Sequence, residues 1–131
     1  MKAIVVDDSK LIRRVIAAFL AMQRFETVLE ATNGVDALRQ LAGEQVPDLA
    51  VLDVNMPVMS GAQLVGVLRG QRRFASMKIV LVTAEADRTR MPGLERADAC
   101  VTKPFTAAKL HGALAALGFA VSPPAPEAMA V

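Results

Sequence analysis

The sequence predicts an α/β protein in which a parallel sheet carries helices on both faces. Three observations lead there. Short unbroken apolar runs, Ala3-Ile4-Val5-Val6, Leu49-Ala50-Val51-Leu52 and Ile79-Val80-Leu81-Val82, read as strands buried on both sides. Amphipathic stretches at helical spacing alternate with them, and a βαβ order with right-handed crossovers gives a parallel sheet. The runs also end on polar groups, namely Asp7-Asp8, Asp53, Thr83 and Lys103. In open α/β sheets that carboxyl edge is where sites form.

Taken in order, Ala3 to Val6 is a strand closed by Asp7-Asp8, and Ser9 can cap the helix that follows. In that helix Leu11, Ile12, Val15, Ile16, Phe19 and Leu20 share one face, while Lys10, Arg13, Arg14, Gln23 and Arg24 take the other. Phe25-Glu26 turns into Thr27 to Ala31, an alternating run that suits an edge strand. Thr32-Asn33-Gly34 is a turn, and Val35 to Ala42 reads as a helix stopped by Gly43. Leu49 to Asp53 is the central strand. The loop from Pro57 to Gly61 leads to a helix over Ala62 to Arg69, with Arg72-Arg73 as a solvated face. Lys78 to Thr83 is another buried strand. Ala84 to Arg96 is polar and interrupted by Pro92-Gly93, so an irregular segment is expected over 86–96. Ala99 to Thr102 is the last strand, and Thr106 caps a final helix through Leu117. Residues 1–120 thus form one domain, and 121–131, rich in Pro and Ala, read as a disordered tail or linker.

Composition sets the outer limits. The 131 residues are 53% hydrophobic, enough to bury a sizeable core in one domain. Fifteen Lys and Arg against 13 Asp and Glu leave a net charge of +2, too small to argue for nucleic acid or an anionic membrane. The single cysteine, Cys100, excludes an intrachain disulfide and a cysteine-based metal site. No run approaches bilayer length, and a cytoplasmic location is expected.

The chemistry is read from the convergence. In this topology Asp7, Asp8, Asp53, Thr83 and Lys103 meet at one edge. Clustered carboxylates repel unless a cation binds or a proton is taken up. A hard divalent ion satisfies them, and magnesium fits best because it accepts a few carboxylates and shares its shell with phosphate oxygens. Lys103 and Thr83 suit an anionic phosphoryl group, and Asp53 remains as a nucleophile able to form an acyl phosphate. His111 lies on the last helix and reads as a surface residue.

Asp7-Asp8-Ser9, Asp53 with Met56-Pro57 and Gly61, Thr83-Ala84 and Lys103-Pro104-Phe105 together resemble the receiver domain of bacterial response regulators, over about Lys2 to Leu117. Through Asn55, Thr83-Ala84-Glu85 and Phe105-Thr106-Ala107-Ala108 the resemblance is to the single-domain, CheY-like type. It implies a flavodoxin-like, doubly wound sheet of five strands in the order 2-1-3-4-5. It implies a stand-alone, non-enzyme signalling phosphoacceptor whose Asp53 receives a phosphoryl group from a sensor histidine kinase or phosphotransfer protein. Asp8, Asp53 and the backbone carbonyl of Asn55 would hold magnesium, or manganese in its place, with Asp7 acting through the water shell. Thr83 and Lys103 would contact the phosphoryl oxygens, and Asn55 and Glu85 would tune dephosphorylation. The Lys103-Pro104 peptide would be cis. A downstream protein would bind the face made by the fourth helix, fifth strand and fifth helix, and the chain would be a monomer or weak dimer.

The sequence departs from the family pattern at two places. Cys100 stands where an aromatic switch residue is usual, and Pro92-Gly93 with Arg96 interrupts the expected fourth helix. The departures imply that ordering of 86–96 replaces the aromatic rotation as the readout. Other readings fare less well. A magnesium-dependent phosphatase wants a second acid two residues after the nucleophile, where Asn55 stands. A flavin-binding module lacks a phosphate-cradling loop after the first strand. The remaining alternative is a receiver-fold binding module in which Arg88, Arg90 and Arg96 take an anionic ligand or partner.

Overall fold

The computed structural model describes residues 1–43, 45–84 and 93–122. Its elements run β1 (Lys2–Val6), α1 (Lys10–Ala21), β2 (Thr27–Ala31), α2 (Gly34–Leu41), β3 (Leu49–Asp53), α3 (Gly61–Arg69), β4 (Lys78–Thr83), β5 (Ala99–Thr102) and α4 (Ala107–Ala116). Short 3₁₀ turns occupy Arg72–Phe74 and Leu94–Arg96. The five strands are all parallel and ordered β2-β1-β3-β4-β5, as the resemblance implied.

Alternation along each strand divides the core between the two faces. Ala3, Val5, Leu49, Val51, Val80, Val82 and Val101 pack with Ile16, Phe19 and Leu20 of α1 and Leu110 and Leu114 of α4. Ile4, Val6, Ala50, Leu52, Ile79 and Leu81 pack with Ala37 and Leu41 of α2 and Leu64, Val65 and Leu68 of α3. Every residue of β3 is buried, which explains why that segment reads as an unbroken apolar run. β2 lies at an edge and is correspondingly more polar and exposed.

The helix starts follow from their caps. Ser9, Asn33, Ser60 and Thr106 each accept a backbone N–H three residues on, and Gln63 completes a capping box with Ser60. α1 stops sooner than its amphipathic pattern suggests, because Arg24 turns the chain at φ 70°. Gln23 is therefore not on the solvent face of a helix. It is buried, and its side chain donates from Nε2 to the Ser122 carbonyl (3.1 Å) and accepts from the Ser122 N–H (2.7 Å). With Phe119 against Phe25, centroids 5.6 Å apart, this ties the chain through Ser122 to the amino end of the sheet. Residues 123–131, most of the expected tail, lie outside the described residues.

The expected irregular segment is described only from Gly93 onward, as a turn with Gly93 at φ 93° followed by the 3₁₀ turn. Glu85, Arg88, Arg90 and Pro92 lie outside the described residues. Arg69 holds the return to β5. Its guanidinium donates to the carbonyls of Phe74, Met77 and Arg96 and pairs with Asp98 at 2.6 Å. Asp98 in turn accepts the Ile79 N–H at 2.8 Å.

Candidate functional site

Strand register brings the acids together. Val6 pairs with Leu52, so Asp7 and Asp53 leave adjacent strands at the same level, on either side of the point where the strand order reverses. Each continues the alternation that sends Val5 and Val51 toward α1 and α4, and Lys103 does so after Val101. Carboxylate oxygens of Asp7, Asp8 and Asp53 all lie within 4.8 Å of one another. The Lys103 ammonium stands 3.2 Å from Asp53 Oδ1, which also accepts the Asn55 N–H at 3.3 Å.

Asp7 and Asp53 are buried and Asp8 is exposed. Burial pushes the Asp7 carboxyl up from 3.8 to about 6, with the Ser9 N–H opposing it and the Asp53 charge reinforcing it. Asp53 is raised as well, again by burial first, against the pull of Lys103. Asp7 Oδ1 accepts the Ser9 N–H at 2.8 Å, whereas its buried Oδ2 has no hydrogen-bond partner among the described residues. Arg13, expected on a solvent face, instead donates to the Asp7 carbonyl at 2.9 Å and to Glu30 at 3.1 Å.

The loop after β3 needs its glycine. Gly61 donates its N–H to the Val54 carbonyl at 2.9 Å, and a Cβ there would lie 2.4 Å from the Asp53 carbonyl oxygen. Within the loop Val58 sits at φ 70° with Met59 N–H bonded to the Pro57 carbonyl at 2.7 Å, a tight γ-turn strained for a β-branched residue. Thr83 is fully buried, and its hydroxyl donates to the Ala84 carbonyl at 3.1 Å rather than into the acid cluster. Its strand partner across the ladder is Thr102. The Lys103-Pro104 peptide is cis. Cys100 is exposed on β5, and Arg96 is exposed too.

One contact had no signal in the sequence. Lys109, in the first turn of α4, directs its ammonium to the carbonyls of Thr102 and Pro104, each at 3.0 Å, and to Thr102 Oγ1 at 3.4 Å. No helix among the described residues is long and apolar enough to cross a membrane.

Comparison with known proteins agrees with this site. The chemotaxis protein CheY1 of Helicobacter pylori is 36% identical over 108 residues, covering 81% of this chain and 87% of that protein. The CheY homolog of Campylobacter jejuni is 35% identical, covering 81% and 83%. Among solved structures, the chemotaxis response regulator CheY4 of Vibrio cholerae superposes with a TM-score of 0.79 at 29% identity, covering 88% of this chain and 97% of that one. The response regulator TrrA of Thermotoga maritima, solved in complex with Mg2+-BeF, gives a TM-score of 0.76 at 32% identity over 89% and 99%. The family model of the response regulator receiver domain matches residues 3–115, so the chain belongs to the response regulator receiver family, with an acid cluster of Asp7, Asp8 and Asp53 analogous to the phosphoacceptor site of its CheY-like members.

Proposed function

We propose that the chain is a phosphoacceptor switch that takes a phosphoryl group on Asp53 from the phosphohistidine of a histidine kinase or phosphotransfer protein, and later releases it as phosphate. The observation that carries this reading is the meeting of three carboxylates within 4.8 Å, with one cation, Lys103, 3.2 Å from the central one. The donor set suits magnesium: the oxygens are hard, and the buried Asp7 Oδ2 lacks a hydrogen-bond partner among the described residues. Asp8, Asp53 and the Asn55 carbonyl would hold the ion, with Asp7 supporting them. Once bound, it would offset the carboxylate charge and that of an incoming phosphoryl group.

An Asp53 carboxylate oxygen attacks phosphorus as the P–N bond to the imidazole breaks, and the leaving nitrogen keeps the electron pair. Lys103 neutralises charge on the transferred group. In a separate hydrolytic step water attacks phosphorus and gives up a proton, the P–O bond to Asp53 breaks with its electron pair left on the carboxylate, and inorganic phosphate departs. Asn55 and Glu85 stand at positions expected to influence that water. Thr83 would exchange its Ala84 partner for a phosphoryl oxygen, biasing the segment before β5 that a downstream protein reads.

The test is labelling by a small phosphodonor with magnesium. Wild type should be labelled and Asp53→Asn should not. Equal labelling of the variant would overturn the assignment.

A further inference from the structure

We infer that Lys109 is a positioning residue that holds Lys103 against Asp53, an inference that rests on the phosphoacceptor reading. A trans peptide unit directs its N–H and C=O to opposite sides. The unit joining Thr102 to Lys103 sends its N–H inward, to the Thr83 carbonyl at 2.8 Å. Its carbonyl therefore points off the outer edge of β5, which is the last strand of the sheet. There Lys109 takes it at 3.0 Å. The same ammonium takes the Pro104 carbonyl, also at 3.0 Å, and Thr102 Oγ1 at 3.4 Å. Three donors thus meet three acceptors on both sides of residue 103.

The backbone that carries Lys103 is clamped between Thr83 on the inside and Lys109 on the outside. Lys109 is itself fixed by its place in the first turn of α4, where its N–H is donated to the capping Thr106 Oγ1 at 3.1 Å. It touches none of the carboxylates, so its influence on a phosphoryl group passes through Lys103. The acids that would hold a metal stand on β1 and β3 and their loops, beyond its reach.

This separation makes the inference testable with the full chain. The chain has no Trp or Tyr, so beryllofluoride binding in saturating magnesium, and magnesium binding alone, are measured by calorimetry. Lys109→Met should weaken beryllofluoride binding roughly three- to tenfold while magnesium affinity stays at the wild-type value. Lys109→Arg should restore most of the loss. In a Lys103→Met background, Lys109→Met should have no further effect.

The inference is overturned by wild-type beryllofluoride affinity in Lys109→Met, by a matching fall in magnesium affinity, or by an undiminished further loss in the Lys103→Met background. A wild type that binds magnesium but no beryllofluoride would overturn the phosphoacceptor reading and, with it, this inference.

Discussion

Asp7 accepts the Ser9 N–H on one carboxylate oxygen at 2.8 Å and keeps the other buried without a hydrogen-bond partner among the described residues. Its carboxyl is raised from 3.8 to about 6. In the interval between those values the folded chain holds a proton that the unfolded chain has lost, so stability falls as pH rises through it. Above that interval the penalty is complete, about 3 kcal/mol for a shift of this size. Asp53, raised in the same sense, adds to the trend. In chelator, urea unfolding should show the wild type less stable at pH 7.5 than at pH 5. Asp7→Asn should flatten most of that slope and exceed wild type at pH 7.5. A slope of the opposite sign would contradict the assignment.

Asp8→Asn should lose magnesium affinity and phosphodonor labelling together, because one charge leaves a cluster built for a hard ion. A loss of about tenfold or more in affinity is expected on electrostatic grounds. Without metal, folding stability should rise slightly, because the Asp8 charge repels those of Asp7 and Asp53. Metal titration and unfolding, run side by side, separate the two effects.

Gly61→Ala places a Cβ 2.4 Å from the Asp53 carbonyl oxygen and 2.8 Å from Val54 Cα, and backbone has little room to yield. It should cost about 2–4 kcal/mol in urea unfolding and slow labelling of Asp53. Gly66→Ala is the control on the same helix. Nothing lies within 4 Å of its added Cβ, so the gain in helix propensity should appear as about 0.5–1 kcal/mol of added stability.

Ending the chain after Gly118 removes the Phe119 ring from Phe25 and leaves the buried Gln23 amide without Ser122. A loss of about 2–3 kcal/mol is expected from the ring and the two hydrogen bonds. Gln23→Ala in the full chain should cost about 1–2 kcal/mol. Truncation with no change in the unfolding midpoint would show that the attachment contributes nothing.

The sheet and its acids were legible because they follow from local pattern. An apolar run of four closed by a carboxylate specifies both a buried strand and an edge position, as at Val51-Leu52-Asp53. Caps at Ser9 and Thr106 were equally local. The contacts of Gln23, Arg69 and Lys109 were not. The first two join elements distant in sequence, 99 residues for Gln23 and Ser122 and 29 for Arg69 and Asp98, while Lys109 reaches back only seven residues to Thr102, across a turn whose path no periodicity reports. Arg13 and Gln23 looked like solvent-facing residues because charge and polarity report exposure only on average. At Arg13 the long stem reaches a backbone carbonyl, and at Gln23 a turn at Arg24 changes the direction of the chain. The left-handed turns at Arg24 and Val58 lack the glycine that would have announced them.

The tie between Gln23 and Ser122 also decides how the molecule can be handled. It sits just before β2, at the amino ends of the strands, whereas Asp53 closes the carboxyl end of β3. A strand of five residues spans about 16 Å, so whatever is joined after Ser122 starts a full sheet-height from the phosphoacceptor. A fluorophore, an affinity tether or a fused reporter placed there leaves the approach of a kinase domain open. The same group at the start of α1 or in the Met56 to Ser60 loop would stand in its path.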